Sequence, residues 1–379
     1  AKRVAMGRFA HEAAVCGLPE KGQPLAFYMG CDSRNEYIYK FVSKALWDDA
    51  DVNGGLAAGA KYLDEGTLYV AKFKADGTGE WIELTHGKNG LTASNTTYPF
   101  ADQADVLVNV RLAADAVGAT KMDRPEWGAV NPLNHEVYMT LTNNSNRVDP
   151  SATPTGSQLK PDAANPRYYV EDGSKGNPNG HIIRWRETGS QAATAFTWDI
   201  YLFGAEDDDI NNPNVNLSGL TEENVLSSPD GLWFSQKTGV LYIQTDDGAF
   251  TDTTNCMLVA AVPGEVGDGS EVDVDNTAGG AGTVRTKVGA VGTLRRLLVG
   301  PIESEITGLT ESGDGKALFI NIQHPGEDGS NAAPTSSWPY PLTGGGFGNP
   351  AAGVMPNAGN RPRSATIVLT RIDGGVIGQ

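Results

Sequence analysis

Six short segments gather the residues that do chemistry. In Gly7-Arg8-Phe9-Ala10-His11-Glu12 an imidazole and a carboxylate are adjacent. Lys121-Met122-Asp123-Arg124-Pro125-Glu126-Trp127 packs two carboxylates, a guanidinium and an ammonium into six consecutive positions. His181, Arg184 and Glu187 follow, then Asp246 with Asp247, Glu303 with Glu305, and Gln323-His324-Pro325-Gly326-Glu327. Carboxylates are hard oxygen ligands for calcium, and with imidazole they also suit iron. Arginine grips a phosphate through two parallel donors. A strand turns alternate residues to one face, so carboxylates at i and i+2, the spacing of Glu303 and Glu305, can meet in a common channel. None of these segments is a specific motif by itself. The competing reading of each is a solvated turn charge or surface ion pair, worth at most ~1 kcal/mol.

Strands must position these groups, because helical periodicity is scarce. Runs rich in aromatic and β-branched residues, bounded by turn residues, predict strands at Leu25–Met29, Tyr37–Val42, Thr67–Phe73, Glu136–Leu141, His181–Trp185, Phe196–Phe203, Leu232–Phe234, Val240–Thr245, Ala317–Ile322 and Ala365–Ile372. Helices are expected only at Ala104–Ala113 and Thr221–Leu226. A loose repeat runs through GTLYVAKF (66–73), HEVYMTLTNN (135–144), GVLYIQTDD (239–247) and KALFINIQH (316–324), with PLAFYMGCD (24–32) in the same outline. Two copies follow an Asp-Gly pair read as a turn, in SSPDGLWFS and ESGDGKALF. Repeating strands at irregular spacing suggest propeller blades, with an array of β-sandwiches as the alternative. The chain reads as one all-β domain over 1–379, with long loop insertions at about 151–180, 265–284 and 334–363. The second of these reads as a mobile flap.

Composition agrees with many short strands and turns: Gly is 47 and Pro 21 of 379 residues, and charged residues are 20%. The net charge of -17 argues against nucleic acid as a partner, since phosphate backbones need basic patches. Surplus carboxylate is what hard cations prefer; it also keeps exported proteins soluble. Three cysteines, Cys16, Cys31 and Cys256, are no disulfide framework. No apolar run reaches the ~18 residues a membrane helix needs.

Read in order, the strings GRFAHEAA (7–14), NEYIYKFVS (35–43), GTLYVAKF (66–73), TKMDRPEW (120–127), GHIIRWRE (180–187), SPDGLWFS (228–235), GPIESEITG (300–308) and INIQHPGE (320–327) resemble the successive blocks of the PhoX alkaline phosphatase family. The closing RPRSATIVLTRIDGGVIG resembles that family's C-terminus. The resemblance implies a six-bladed β-propeller with a cluster of calcium ions and bridged irons (Ca2+ and Fe3+) in its channel. It implies phosphomonoester hydrolysis at alkaline pH, with little regard for the leaving alcohol, and export by the twin-arginine route to the periplasm or cell exterior of a bacterium. Carried over by position, Glu12 and Glu126 resemble metal-binding carboxylates, Asp32 a further cation ligand, and Arg124 the guanidinium that holds the substrate phosphate. Glu305 is expected as another metal ligand. Pro125 stiffens the turn between Arg124 and Glu126, so residues at i and i+2 there project to one side. His11 is read either as a residue that orients a ligand through its second ring nitrogen or as a satisfied structural histidine.

The chain departs from the family pattern in two places. An upstream block, in which a cysteine ligates iron, has no counterpart here, so the chain is expected to be a propeller lacking its N-terminal blades. The missing segment would lie in a longer protein or a separate partner chain. Where the family has two aspartates after Tyr-Met-Gly, this chain has Cys31 and Asp32. A thiol is a softer ligand than a carboxylate, which puts calcium at position 31 in doubt; a harmless packed thiol is the other reading. The expected activity is therefore metal-assisted hydrolysis of small phosphate esters. The alternative is a non-catalytic calcium-binding propeller at a cell surface.

Overall fold

The computed structural model describes residues 2–171, 173–206, 208–246, 255–276, 282–340 and 361–379. Its fold is all-β and propeller-like, a series of antiparallel meanders in which neighbours in sequence are neighbours in space. The first meander runs through Pro24–Gly30, Ile38–Leu46, Gly66–Phe73 and Thr78–Glu83, and the second through Pro125–Val130, Val137–Leu141, His181–Glu187 and Ala195–Phe203. The third comprises Pro229–Phe234, Leu241–Thr245, Met257–Val262 and Thr293–Val299. Glu305–Glu311, Ala317–Gln323 and Ala365–Thr370 form the fourth. The outer strands of the first two meanders pair, Thr78 to Glu80 against Ala195 to Thr197, and so join them into one sheet. The opening strand of each meander packs against the opening strand of the next, which lines all four up along one hub.

Apolar side chains fill the gaps between successive sheets. Phe73, Trp81, Trp185, Phe196 and Trp198 are packed between the first and second. Alternation then splits single strands between two cores. Leu241 and Ile243 join Tyr138 and Tyr201 on the side of the second sheet. Tyr242 joins Leu258, Ile306 and Ile320 on the side of the fourth. The repeats at 66–73, 135–144, 239–247 and 316–324 supply second or third strands of the four meanders, near the hub but not on it.

Several expectations need correcting. The helix expected at Ala104–Ala113 is two, Gln103–Val108 and Val110–Ala116, broken at Asn109, whose side-chain amide donates back to Asp105. Thr221–Leu226 is a turn: Asn224 accepts from the Thr221 N–H, and Leu226 is drawn into a β-bridge with Ala205. A helix at Gly55–Leu63 went unread. The segment at 265–284 is no free flap where it is described. It carries strand Ser270–Asp275, paired to Thr283–Val288, and the buried Arg184 donates to the Glu265 carbonyl at 2.6 Å and to Asp268 at 2.7 Å. Likewise 151–180 contains the pair Tyr169–Glu171 and Ser174–Gly176. Residues 341–360, within the third insertion, and Asp247 lie outside the described residues.

Beneath the hub lies a buried polar network. Asp123, fully buried, accepts from Arg147 Nε at 2.7 Å, Asn144 Nδ2 at 2.8 Å and Asn177 Nδ2 at 3.0 Å. His181 lies within hydrogen-bond reach of the Ala164 carbonyl through Nε2 (2.8 Å) and of Asn177 Nδ2 through Nδ1 (3.1 Å). Together these contacts select the neutral ring protonated at Nε2. Burial lowers its pKa to about 4, more than the nearby Asp123 charge can offset. Below pH ~6.5 the unfolded chain takes up a proton that this ring refuses, so the stability it contributes is present above that pH and is lost as pH falls toward 4. Urea unfolding of the wild type is expected to show about 2 kcal/mol less stability at pH 5 than at pH 7 from this residue. His181→Gln, less stable overall, should show a flatter dependence; an equal slope in both proteins would remove His181 as the cause.

Candidate functional site

The hub strands deliver the charged residues to one place. Asp32 follows Pro24–Gly30; Arg124 precedes Pro125–Val130 and Glu126 is its second residue; Asp230 lies in Pro229–Phe234; Glu305 opens Glu305–Glu311. Asp246 follows Leu241–Thr245, its N–H held by the Ser228 carbonyl. Glu12 arrives on the segment before the first strand, its N–H directed at the Gly30 carbonyl. Gly30 permits the close approach: a Cβ there would lie 2.5 Å from the carbonyl oxygens of Pro125 and Glu126.

Arg124 is the centre of the arrangement. Its backbone is left-handed, φ 55°, a strained conformation for a residue with a side chain. Nε donates to Asp32 Oδ1 at 2.9 Å, Nη2 lies 3.3 Å from Asp32 Oδ2 and 3.0 Å from Glu126 Oε1, and Nη1 makes a longer contact of 3.3 Å to Asn143. The i, i+2 pair about Pro125 thus does project to one side. The ion pairs that would have made Arg124 and Glu126 ordinary are taken elsewhere, since Asp123 belongs to Arg147 and Lys121 to Asp115.

Beside this pair, Asp230, Asp246 and Glu305 each bring a carboxylate oxygen within 4.8 Å of the other two. Burial, then repulsion from Glu305 and Asp246, pushes Asp230 well above the usual carboxylate range. Glu126 is raised by burial and by Asp230. Glu305 is raised to about 7 by burial and Asp246, and Glu12 is raised by burial and Asp32. So many crowded carboxylate oxygens of one charge, most of them partly withdrawn from solvent and with one guanidinium among them, need protons or further cations. The donor set is hard oxygen and fits a calcium-like ion. His324 stands at its edge, Nε2 at 3.6 Å from Glu305 and Nδ1 at 3.3 Å from Glu327.

All five residues expected at the site, Glu12, Asp32, Arg124, Glu126 and Glu305, converge here. Asp230 was missed because Asp-Gly read as a turn; it sits instead in a strand at a β-bulge between Pro229 and Leu232. Asp246 and His324 were noticed as charged residues but given no place. Glu303 does not face the channel with Glu305. It sits in a turn with φ 52° and holds a loop, accepting from the Asp328 N–H and the Thr335 hydroxyl. His181, Arg184 and Glu187 go to three separate partners, Asn177, Asp199 and Lys40. His11 stacks on Phe9, with Nε2 near the Gly7 carbonyl. The Cys31 sulfur accepts from Arg111 and lies near Glu36, neither of them in the acidic cluster, and burial pushes the thiol up to about 11.

Fold and site together define a propeller-like all-β protein with an acidic hub of cation-type ligands gathered around one arginine. Comparison with known proteins narrows this. The family described as "Alkaline phosphatase PhoX" matches residues 1–326. The chain belongs to the PhoX alkaline phosphatase family. Among solved structures, Pseudomonas fluorescens PhoX in complex with vanadate, a transition state analogue, is 36% identical with a TM-score of 0.73. That match covers 100% of this chain and 56% of the Pseudomonas chain. No curated protein matches this sequence.

Proposed function

We propose that this hub hydrolyses phosphate monoesters. The observation that carries the reading is the convergence of Arg124 with the carboxylates of Asp230, Asp246 and Glu305 in a member of this family. Asp230, Asp246 and Glu305, with Glu12, Asp32 and Glu126 around them, would hold calcium, and iron where the upstream cysteine block is also present. When bound, such cations neutralise phosphoryl charge and act as Lewis acids. Arg124 meets the phosphoryl oxygens; Asp32 fixes its planar fork through Nε and Nη2, which leaves Nη1, on its long contact to Asn143, as the donor that can exchange Asn143 for a phosphoryl oxygen. His324 stands beside the Glu305 carboxylate at the rim of the cluster, 3.6 Å away. The same reading takes in a six-bladed ring, with the blades beyond these four sheets supplied by polypeptide outside this sequence, in the same chain or a partner chain. It also takes in export to the periplasm or cell exterior, which cell fractionation tests.

The deciding experiment is hydrolysis of an aryl phosphate by the native, metal-loaded protein, with inhibition by vanadate, the analogue bound to the Pseudomonas relative. Turnover blocked by vanadate is expected. A folded, metal-loaded protein without turnover would leave the hub a cation-binding site only.

A further inference from the structure

Three of the four hub strands break register where they reach the site. The bulges fall between Pro125 and Gly128, between Pro229 and Leu232, and between Thr307 and Leu309. Bulges beside functional sites re-aim side chains that a regular strand would send to the opposite face. Here the first bulge lets two successive residues serve one place: Glu126 joins the acidic cluster, while Trp127 lines the cavity that opens from it. The Thr140 hydroxyl clamps the Trp127 peptide, accepting from its N–H and approaching its carbonyl, each at 3.0 Å. In the third bulge Gly308, φ 50°, leaves room that a Cβ would deny, 2.6 Å from Asn321 Nδ2.

The cavity so formed is about 560 Å³. One end is acidic, with Glu12, Asp230 and Glu305. The rest of its wall carries no charge: Trp127, Trp233 and Phe319 supply aromatic rings, and Thr307, Asn321 and Thr366 supply hydroxyl and amide groups. Trp127 is 42% and Phe319 39% exposed, both unusually open for rings of that size. A wall of this kind offers no counter-charge to a second phosphate or a charged chain, whose desolvation would go uncompensated. Ring faces with neutral donors and acceptors between them are what stack and orient a planar heterocycle.

We propose that this cavity is a leaving-group subsite that takes the planar ring of the ester, of the nucleobase kind, while the phosphoryl group meets Arg124. The proposal rests on the phosphatase reading and adds a leaving-group preference of about tenfold where the family resemblance implies little regard for the leaving alcohol. No covalent step beyond ester hydrolysis is implied: water adds to phosphorus, the P–O bond to the alcohol breaks, and the alcohol leaves with a proton.

The test compares adenosine 5′-monophosphate with ribose 5-phosphate, whose leaving oxygens are alike, on the native metal-loaded protein. The kcat/KM ratio is expected to favour the nucleotide by about tenfold, the scale of one stacked base. Trp127→Ala and, on a different strand, Phe319→Ala are each expected to cut the ratio to below about threefold, with Trp127→Phe retaining part of it. Leu56→Ala, on an exposed helix face, should leave it unchanged. Calorimetry with adenosine alone, on the native metal-loaded protein, is expected to show binding that Trp127→Ala abolishes. Equal rates on both esters in the wild type, or a ratio untouched by both variants, would overturn the subsite and leave the phosphatase reading standing. Hydrolysis of neither ester would overturn both.

Discussion

Stripping cations from the native protein with a chelator is expected to lower its melting temperature, and to lower it more at pH 8 than at pH 5. Without cations, Asp230 and Glu126 are held well above the carboxylate range and Glu305 at about 7. A carboxyl whose folded pKa is raised contributes most stability below its unfolded pKa and loses it as pH climbs through the folded value. Metal-free protein should therefore weaken from about pH 5 upward. Cation-loaded protein should not, because protons compete with the ions and their loss tightens binding. An ion present at about 100 times its dissociation constant adds about 2.7 kcal/mol, on the order of 3–4 °C for a chain of this size. Asp230→Asn should narrow the gap from both sides, relieving repulsion in the stripped protein and weakening binding in the loaded one. Calorimetric scans at both pH values, with and without chelator, decide the matter; identical melting throughout would mean the cluster holds no ion that matters to folding.

Arg124→Lys and Glu126→Gln should fail in different ways. Lysine keeps the charge but cannot reach Asp32, Glu126 and a phosphoryl oxygen with a planar fork. Its kcat/KM on an aryl phosphate is expected to fall about a hundredfold, in the range lost when one oriented donor is removed from a developing charge. Metal content should stay near the wild-type level. Glu126→Gln removes a buried carboxylate from the cation site and should lower metal content along with turnover. Steady-state rates beside elemental analysis of both variants distinguish the two. Wild-type rates and metal loading in both would place this segment outside the active site.

The middle strands of the second and third meanders were legible because they are buried on two faces and keep apolar runs, VYMTL at 137–141 and LYIQT at 241–245 being buried throughout, and Ala317–Gln323 in the fourth was legible by its alternation of buried and exposed residues. The hub strands were harder to read for the same reason that they are useful. PEWGAV and PDGLWF carry Pro and Gly, which read as turns, and their bulges break the alternation that marks a strand. Two Asp-Gly pairs make the point. Asp314-Gly315 is the turn it reads as, its carboxylate accepting from the Lys316 N–H. Asp230-Gly231 lies in a strand, where a Cβ on Gly231 would strike Gln244 at 2.4 Å. No local signal separates them, because the difference lies in a neighbouring strand. Glu303 failed in the opposite sense, since its spacing from Glu305 implied a shared face, but the strand begins only at Glu305.

The pairing of Thr78 to Glu80 with Ala195 to Thr197 gives the first two meanders one continuous ladder of backbone hydrogen bonds. Neither can open by fraying without the other, so their amides belong to one cooperative unit. Among the described residues, no strand ladder joins the third and fourth meanders to that unit or to each other. Each can exchange its amides through its own, cheaper opening. The site straddles this division: Asp32, Arg124 and Glu126 sit on the laced pair, and Asp230, Asp246 and Glu305 on the two separate units. Whatever holds those carboxylates to Arg124 and Glu126 also sets whether the molecule opens in pieces or all at once.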